Sequence, residues 1–129
     1  PAATARWLDA QRPALPAPAR SLADAIGTRL ENLGDQLARL DEAEPAAFEV
    51  RKLVGEQLPE LIRGYERVPA PLRGVPHNGR TPDQQLAEGL TVIEGEIAEL
   101  SAQLARGDLD AFATRGRYLQ IKYGGDREG

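Results

Sequence analysis

Residues Thr81–Leu104 read TPDQQLAEGLTVIEGEIAELSAQL. Thr81 precedes Pro82, Asp83 and Gln84, which places a capping hydroxyl before a proline at the first helical position, an acid in the first turn and a glutamine at the third position. That order is a capping box, in which the threonine and glutamine side chains satisfy each other's orphan amide groups. Leu86, Leu90, Ile93, Ile97, Leu100 and Leu104 then recur at alternating spacings of four and three, so their side chains line one face of a helix. The segment predicts a long amphipathic helix with a sharp start, stopping at Arg106-Gly107 where glycine suits a left-handed cap.

The same periodicity extends outward in both directions. Leu22, Ile26, Leu30, Leu33, Leu37 and Leu40 form a second stripe, with Ser21 as N-cap and Asp41 to Pro45 as the stop, which predicts a helix over about 21–42. Gly27 and Gly34 lie on one flank of it, where a neighbouring helix is expected to approach. From Pro45 a third stripe runs through Val50, Val54, Leu58, Leu61, Tyr65 and Val68, widened by Phe48, Leu53 and Ile62. Pro59 falls in its middle and crowds the carbonyl of Gly55, so a kinked but continuous helix is expected. Pro69, Pro71, Pro76 and Asn78-Gly79 mark the following segment as a loop. After Gly107, Asp108 can cap a shorter fourth helix through Leu109, Phe112, Leu119 and Tyr123. Leu119, Ile121 and Tyr123 also alternate like a strand, but no partner strand is evident and helix is favoured.

The fold class is therefore all-α: an antiparallel three-helix bundle with a shorter fourth C-terminal helix and an extended N-terminal arm. Residues 1–20 read as the arm because Pro13, Pro16 and Pro18 cannot share one helix interior, with room for a short, marginal turn of helix around Ala3 to Gln11. Residues 21–123 form the bundle domain and 124–129 a disordered tail. At 129 residues one core is expected. The acidic stretch of the third helix, with Asp83, Glu88, Glu94, Glu96 and Glu99, is expected to pair with Arg51, Lys52, Arg63 and Arg67 of the second.

Composition excludes several kinds of chemistry. There are no cysteines and a single histidine, which removes disulfides, thiolate metal sites, thiol nucleophiles and imidazole-rich metal centres. No cofactor is expected. A net charge of -4 supplies no global attraction to nucleic acid or anionic lipid. No apolar run reaches membrane-spanning length and no secretory pattern opens the chain, so a cytoplasmic or envelope-peripheral location is expected.

Three groups remain as candidate contacts. Trp7 and Leu8 are apolar anchors in the arm that must dock on something. Arg115, Arg117 and Lys122, interleaved with Tyr118 and Tyr123, form the most concentrated basic group, a surface for a protein partner or for a single strand whose bases stack on rings. Asp108 and Asp110 dilute that charge and weigh against nucleic acid. Arg73, His77 and Arg80 share the loop and could meet a small anion, although His77 has no partner in sequence that would make it a general base. The expected function is a non-enzymatic protein–protein interaction or scaffold domain, with a homodimer through the 21–42 stripe as its simplest form and anion or phosphate-compound chemistry as the rival.

The order Leu58-Pro59-Glu60-Leu61, Tyr65, Pro69, a long helix, Leu104 and Gly107-Asp108-Leu109-Asp110 resembles that of the XpaC-like family over about residues 50 to 112. Its members are labelled 5-bromo-4-chloroindolyl phosphate hydrolysis proteins. The resemblance implies a helical domain, envelope-associated and attached to a longer N-terminal part. The matching residues are helix formers and turn residues, so no catalytic site is carried over with it.

Overall fold

The computed structural model describes residues 2–39 and 44–124, which are almost wholly helical, with no strand among them. The capping box at Thr81 is present. Thr81 Oγ1 accepts from the Gln84 amide at 3.0 Å, and Gln84 Oε1 accepts from the Thr81 amide at 2.9 Å. Helix α5 starts there and runs over Pro82–Leu119, with Leu86, Leu90, Ile93, Ile97 and Leu100 buried. It does not stop at Gly107. The expected fourth helix is instead the continuation of α5, ending in a wider π-helical turn over Gln120–Gly124. A glycine in a helix costs about 1 kcal/mol against alanine, which the alanine-rich flanks of Gly107 tolerate; a break would need a place for the chain beyond to dock. Residues 117–123 are accordingly helical.

The N-terminal arm is also a correction. Ala2–Gln11 form helix α1, followed by a 3₁₀ turn over Arg12–Ala14 and then helix α2 over Ala17–Ala38. The clustered prolines do not share a helix interior. Pro13 lies in the 3₁₀ turn, Pro16 is the extended N-cap of α2, and Pro18 sits in its first turn, where a missing N–H costs nothing. The Arg12 guanidinium forks onto both carboxylate oxygens of Asp24, with contacts of 3.0 and 3.2 Å, and ties this corner to α2. Ala19, Ala23, Ile26, Leu30 and Leu33 of α2 are buried. The expected C-terminal end of this helix and residues 125–129 of the expected tail lie outside the described residues.

The helix around Pro59 is continuous, as expected. Helix α3 covers Pro45–Lys52 and α4 covers Leu58–Arg67, joined without a break by a π-helical turn over Leu53–Gln57. The amide of Leu58 reaches back to the Leu53 carbonyl, the wider spacing of a π turn, which relieves the clash that a proline ring imposes one turn upstream. Val50, Leu53, Val54, Leu58, Ile62 and Tyr65 enter the core, whereas Phe48 is 61% exposed.

Side-chain pairs fix how the elements meet. Between α2 and α5, Arg29 bonds Glu94 at 2.6 Å, Ser101 donates to Gln36 at 3.4 Å, and Arg39 faces Asp108 at 3.6 Å. Between α4 and α5, Leu61 lies against Gly89 and Tyr65 bonds Asp83. The approach at Gly89 is close: a Cβ there would stand 2.7 Å from Leu61 Cδ2. Gly27 and Gly34, expected to mark close approach, have nothing within 4 Å of a built Cβ. The carboxylates Glu88, Glu94 and Glu99 take Arg80, Arg29 and Arg106 respectively, arginines of the loop, of α2 and of α5 itself rather than of α3 or α4.

Candidate interaction surface

The loop residues come first because they carried the anion expectation. Asn78 and Gly79 both have positive φ, 54° and 86°, and close a tight turn in which His77 and Arg80 exchange backbone hydrogen bonds of 2.8 and 3.3 Å. The Arg73 side chain does not point into this turn. It donates to the carbonyls of Val68 at 3.0 Å and Glu66 at 3.1 Å and lies 4.8 Å over the Tyr65 ring, fastening the loop to the end of α4. Arg80 is paired with Glu88, and His77 is exposed. Each arginine thus has an internal partner, and the three groups do not converge.

Trp7 and Leu8 are likewise used inside the chain. Leu8 is 2% exposed, Trp7 packs partly buried against the core, and the Arg63 guanidinium lies 5.6 Å over the indole. The docking partner that Trp7 required is α2 together with α4. The α2 stripe expected to form a homodimer is consumed in the same way, since Ile26, Leu30 and Leu33 have no exposed surface.

The C-terminal group differs. From Arg106 to Tyr123 every residue except Gly116 is exposed. Helix α5 has 38 residues and α2 has 22, so α5 is longer by about 24 Å at 1.5 Å per residue, and this surplus leaves the packed core behind. Large apolar groups ride on it: Leu109 is 66% exposed, Phe112 78%, Ile121 75% and Tyr123 58%. Lys122 lies 5.6 Å from the Tyr118 ring and 5.5 Å from that of Tyr123, and donates to the Tyr118 hydroxyl at 3.2 Å. Arg115 and Arg117 are exposed on the same segment.

The periodicity announces this change of role. Continuing the core spacing beyond Leu104 leads to Gly107, Ala111 and Thr114, none able to anchor a core. Leu109, Phe112, Gly116, Leu119 and Tyr123 form their own stripe of alternating steps, whose members lie on average roughly 100° round the helix from the core-facing side. A reading that allows the helix to continue finds two faces on one rod.

Between α1 and α2 lies an open cleft of about 730 Å³ bordered by Arg6, Asp9, Asp24 and Glu31, with Asp24 already held by Arg12. Among the described residues no group of three or more histidine or acidic side chains is arranged to hold a metal, and no helix is long and apolar enough to cross a membrane. No protein-family model, curated protein or solved structure matches this chain.

Proposed function

We propose that the chain is a helical association domain whose working element is the projecting half of α5. The folded part is read as a three-helix bundle in which α2 and α5 run in one sense and α3–α4 returns between them. Support comes from the partner numbers, which rise together for Arg29–Glu94 and Arg39–Asp108 and run oppositely for Leu61–Gly89 and Tyr65–Asp83. The bundle holds α5 by its first half and presents the second.

The observation that carries the reading is the exposure of Leu109 and Phe112 on a segment that is already helical. Contiguous apolar surface of more than a few hundred Å² on a folded domain marks a binding face. Because the segment is ordered before contact, association loses less conformational entropy than folding on binding would cost. Apolar anchors every three or four residues suit a second helix lying alongside.

A photocrosslinking amino acid at position 112, compared with one at the exposed Glu31 of α2, tests this in cells of the native source. Protein adducts from 112 and not from 31 are expected. Absence of any adduct specific to 112 overturns the reading.

A further inference from the structure

Resting on that reading, we propose that the occupant of the projecting stripe is the same segment of a second copy, lying antiparallel. Stripe shape, charge and area each point to it.

The stripe alternates bulk. Phe112 presents a bulky ring and Gly116, one turn on, is the smallest member, with nothing within 4 Å of a Cβ built there. When two stripes run antiparallel with Leu109 of each beside Leu119 of the other, Phe112 of each falls opposite Gly116 of the second copy, and the ring fills the gap that the glycine leaves. A parallel pairing sets Phe112 against Phe112 and gap against gap, a poorer fit for knobs-into-holes packing.

Charge favours the same orientation. The segment begins acidic, with Asp108 and Asp110, and ends basic, with Arg115, Arg117 and Lys122. Antiparallel contact lays each acidic start against a basic end, whereas parallel contact aligns like with like. Asp108 faces Arg39 at 3.6 Å and keeps 66% of its side chain exposed, which leaves it room for a second cation.

Leu109, Phe112, Leu119 and Tyr123 of two copies together can remove at most about 1,000 Å² of surface from water, the size of a weak, reversible interface. The dimer should therefore be reversible and visible in the micromolar range.

Sedimentation velocity over a micromolar dilution series is expected to show a monomer–dimer equilibrium. Gly116→Leu should weaken it at least tenfold, although the substitution adds apolar surface and raises helix propensity. The chain lacks cysteine, so engineered thiols report orientation without background. An equimolar mixture of Leu109→Cys and Leu119→Cys proteins should oxidise to a cross-linked dimer, and neither variant alone should do so. A strict monomer at all concentrations, or cross-linking of Leu109→Cys with itself, overturns the proposal. Adducts from position 112 to a different protein, combined with a monomer in sedimentation, would refute the second copy while leaving the association reading standing; no adducts at all would refute both.

Discussion

The Tyr65 hydroxyl donates a 2.6 Å hydrogen bond to the Asp83 carboxylate, joining the last turn of α4 to the first turn of α5. Tyr65 is 8% exposed, and the Arg73 guanidinium covers its ring. Asp83 gains from the positive end of α5 while it accepts this bond, so one carboxylate serves as dipole partner and acceptor together. The contact fixes where α5 begins relative to α4, and hence the direction in which its far end projects.

Tyr65→Phe is expected to destabilise the fold by about 1.5 kcal/mol, the usual value for a bond to a charged group. The pH response gives an independent check. Burial first, then the bond to Asp83 and its charge, push the Tyr65 hydroxyl from 10.0 up to about 12, with Arg73 opposing. A raised folded-state pKa contributes stability that is complete below the unfolded value and disappears as pH climbs through the folded one. Wild type should therefore lose stability relative to Tyr65→Phe between about pH 10 and 12, read from urea midpoints of both proteins. Parallel curves across that window would count against a buried, bonded hydroxyl.

At the cap, Thr81→Ala removes the acceptor for the Gln84 amide and leaves the Gln84 side chain without its reciprocal role. The expected loss is about 1 kcal/mol, with Thr81→Ser retaining most of it. Chemical denaturation of the three proteins measures both values. If serine and alanine behave alike, the hydroxyl is not what starts α5.

Two glycines on α5 should respond in opposite directions. Gly95 is exposed with open space around it, so Gly95→Ala should raise stability by about 0.5–1 kcal/mol through helix propensity alone. Gly89 faces Leu61, and Gly89→Leu forces that contact apart at an expected cost of about 1–3 kcal/mol. Pairing Gly89→Leu with Leu61→Ala should recover part of the loss. Equal effects at both positions would mean that α4 and α5 do not touch there.

What could be read from the residues depended on whether the decisive interaction was local. The start at Thr81 was legible because a capping box is closed by groups three residues apart, and the π turn before Pro59 follows from a clash within one helix. Gly107 misled because a glycine stops a helix only when the chain beyond has a surface to fold back upon, which is a tertiary fact. The prolines at 13, 16 and 18 misled similarly: they forbid one continuous helix but permit two meeting at a corner. Trp7, Arg73 and Arg80 were recognisable as groups needing partners, yet the partners Arg63, Tyr65 and Glu88 lie on other elements or turns. The projecting stripe was visible as spacing; that it faces outward required knowing that no described element is long enough to cover it.

The docking of α1 offers the last test, because it separates a packed helix from a loose arm. Leu8 is buried to 2% exposure, and Leu15 and Ala19 beside it are as enclosed. Truncating a fully buried leucine typically costs about 2–5 kcal/mol, but a ten-residue helix joined to α2 at a proline corner has another way out. Isolated helices of that length are marginal in water, so α1 holds its shape only while docked. Leu8→Ala should therefore detach α1 before the remaining helices unfold, and the global loss should saturate at the docking energy. Amide hydrogen exchange should show Ala2–Gln11 exchanging as freely as an unstructured chain in the variant, while Leu58–Arg67 and the first half of α5 stay protected. Unchanged exchange in α1 would indicate that Leu8 is not its anchor, and a uniform rise across all helices would indicate that α1 and the core unfold as one unit.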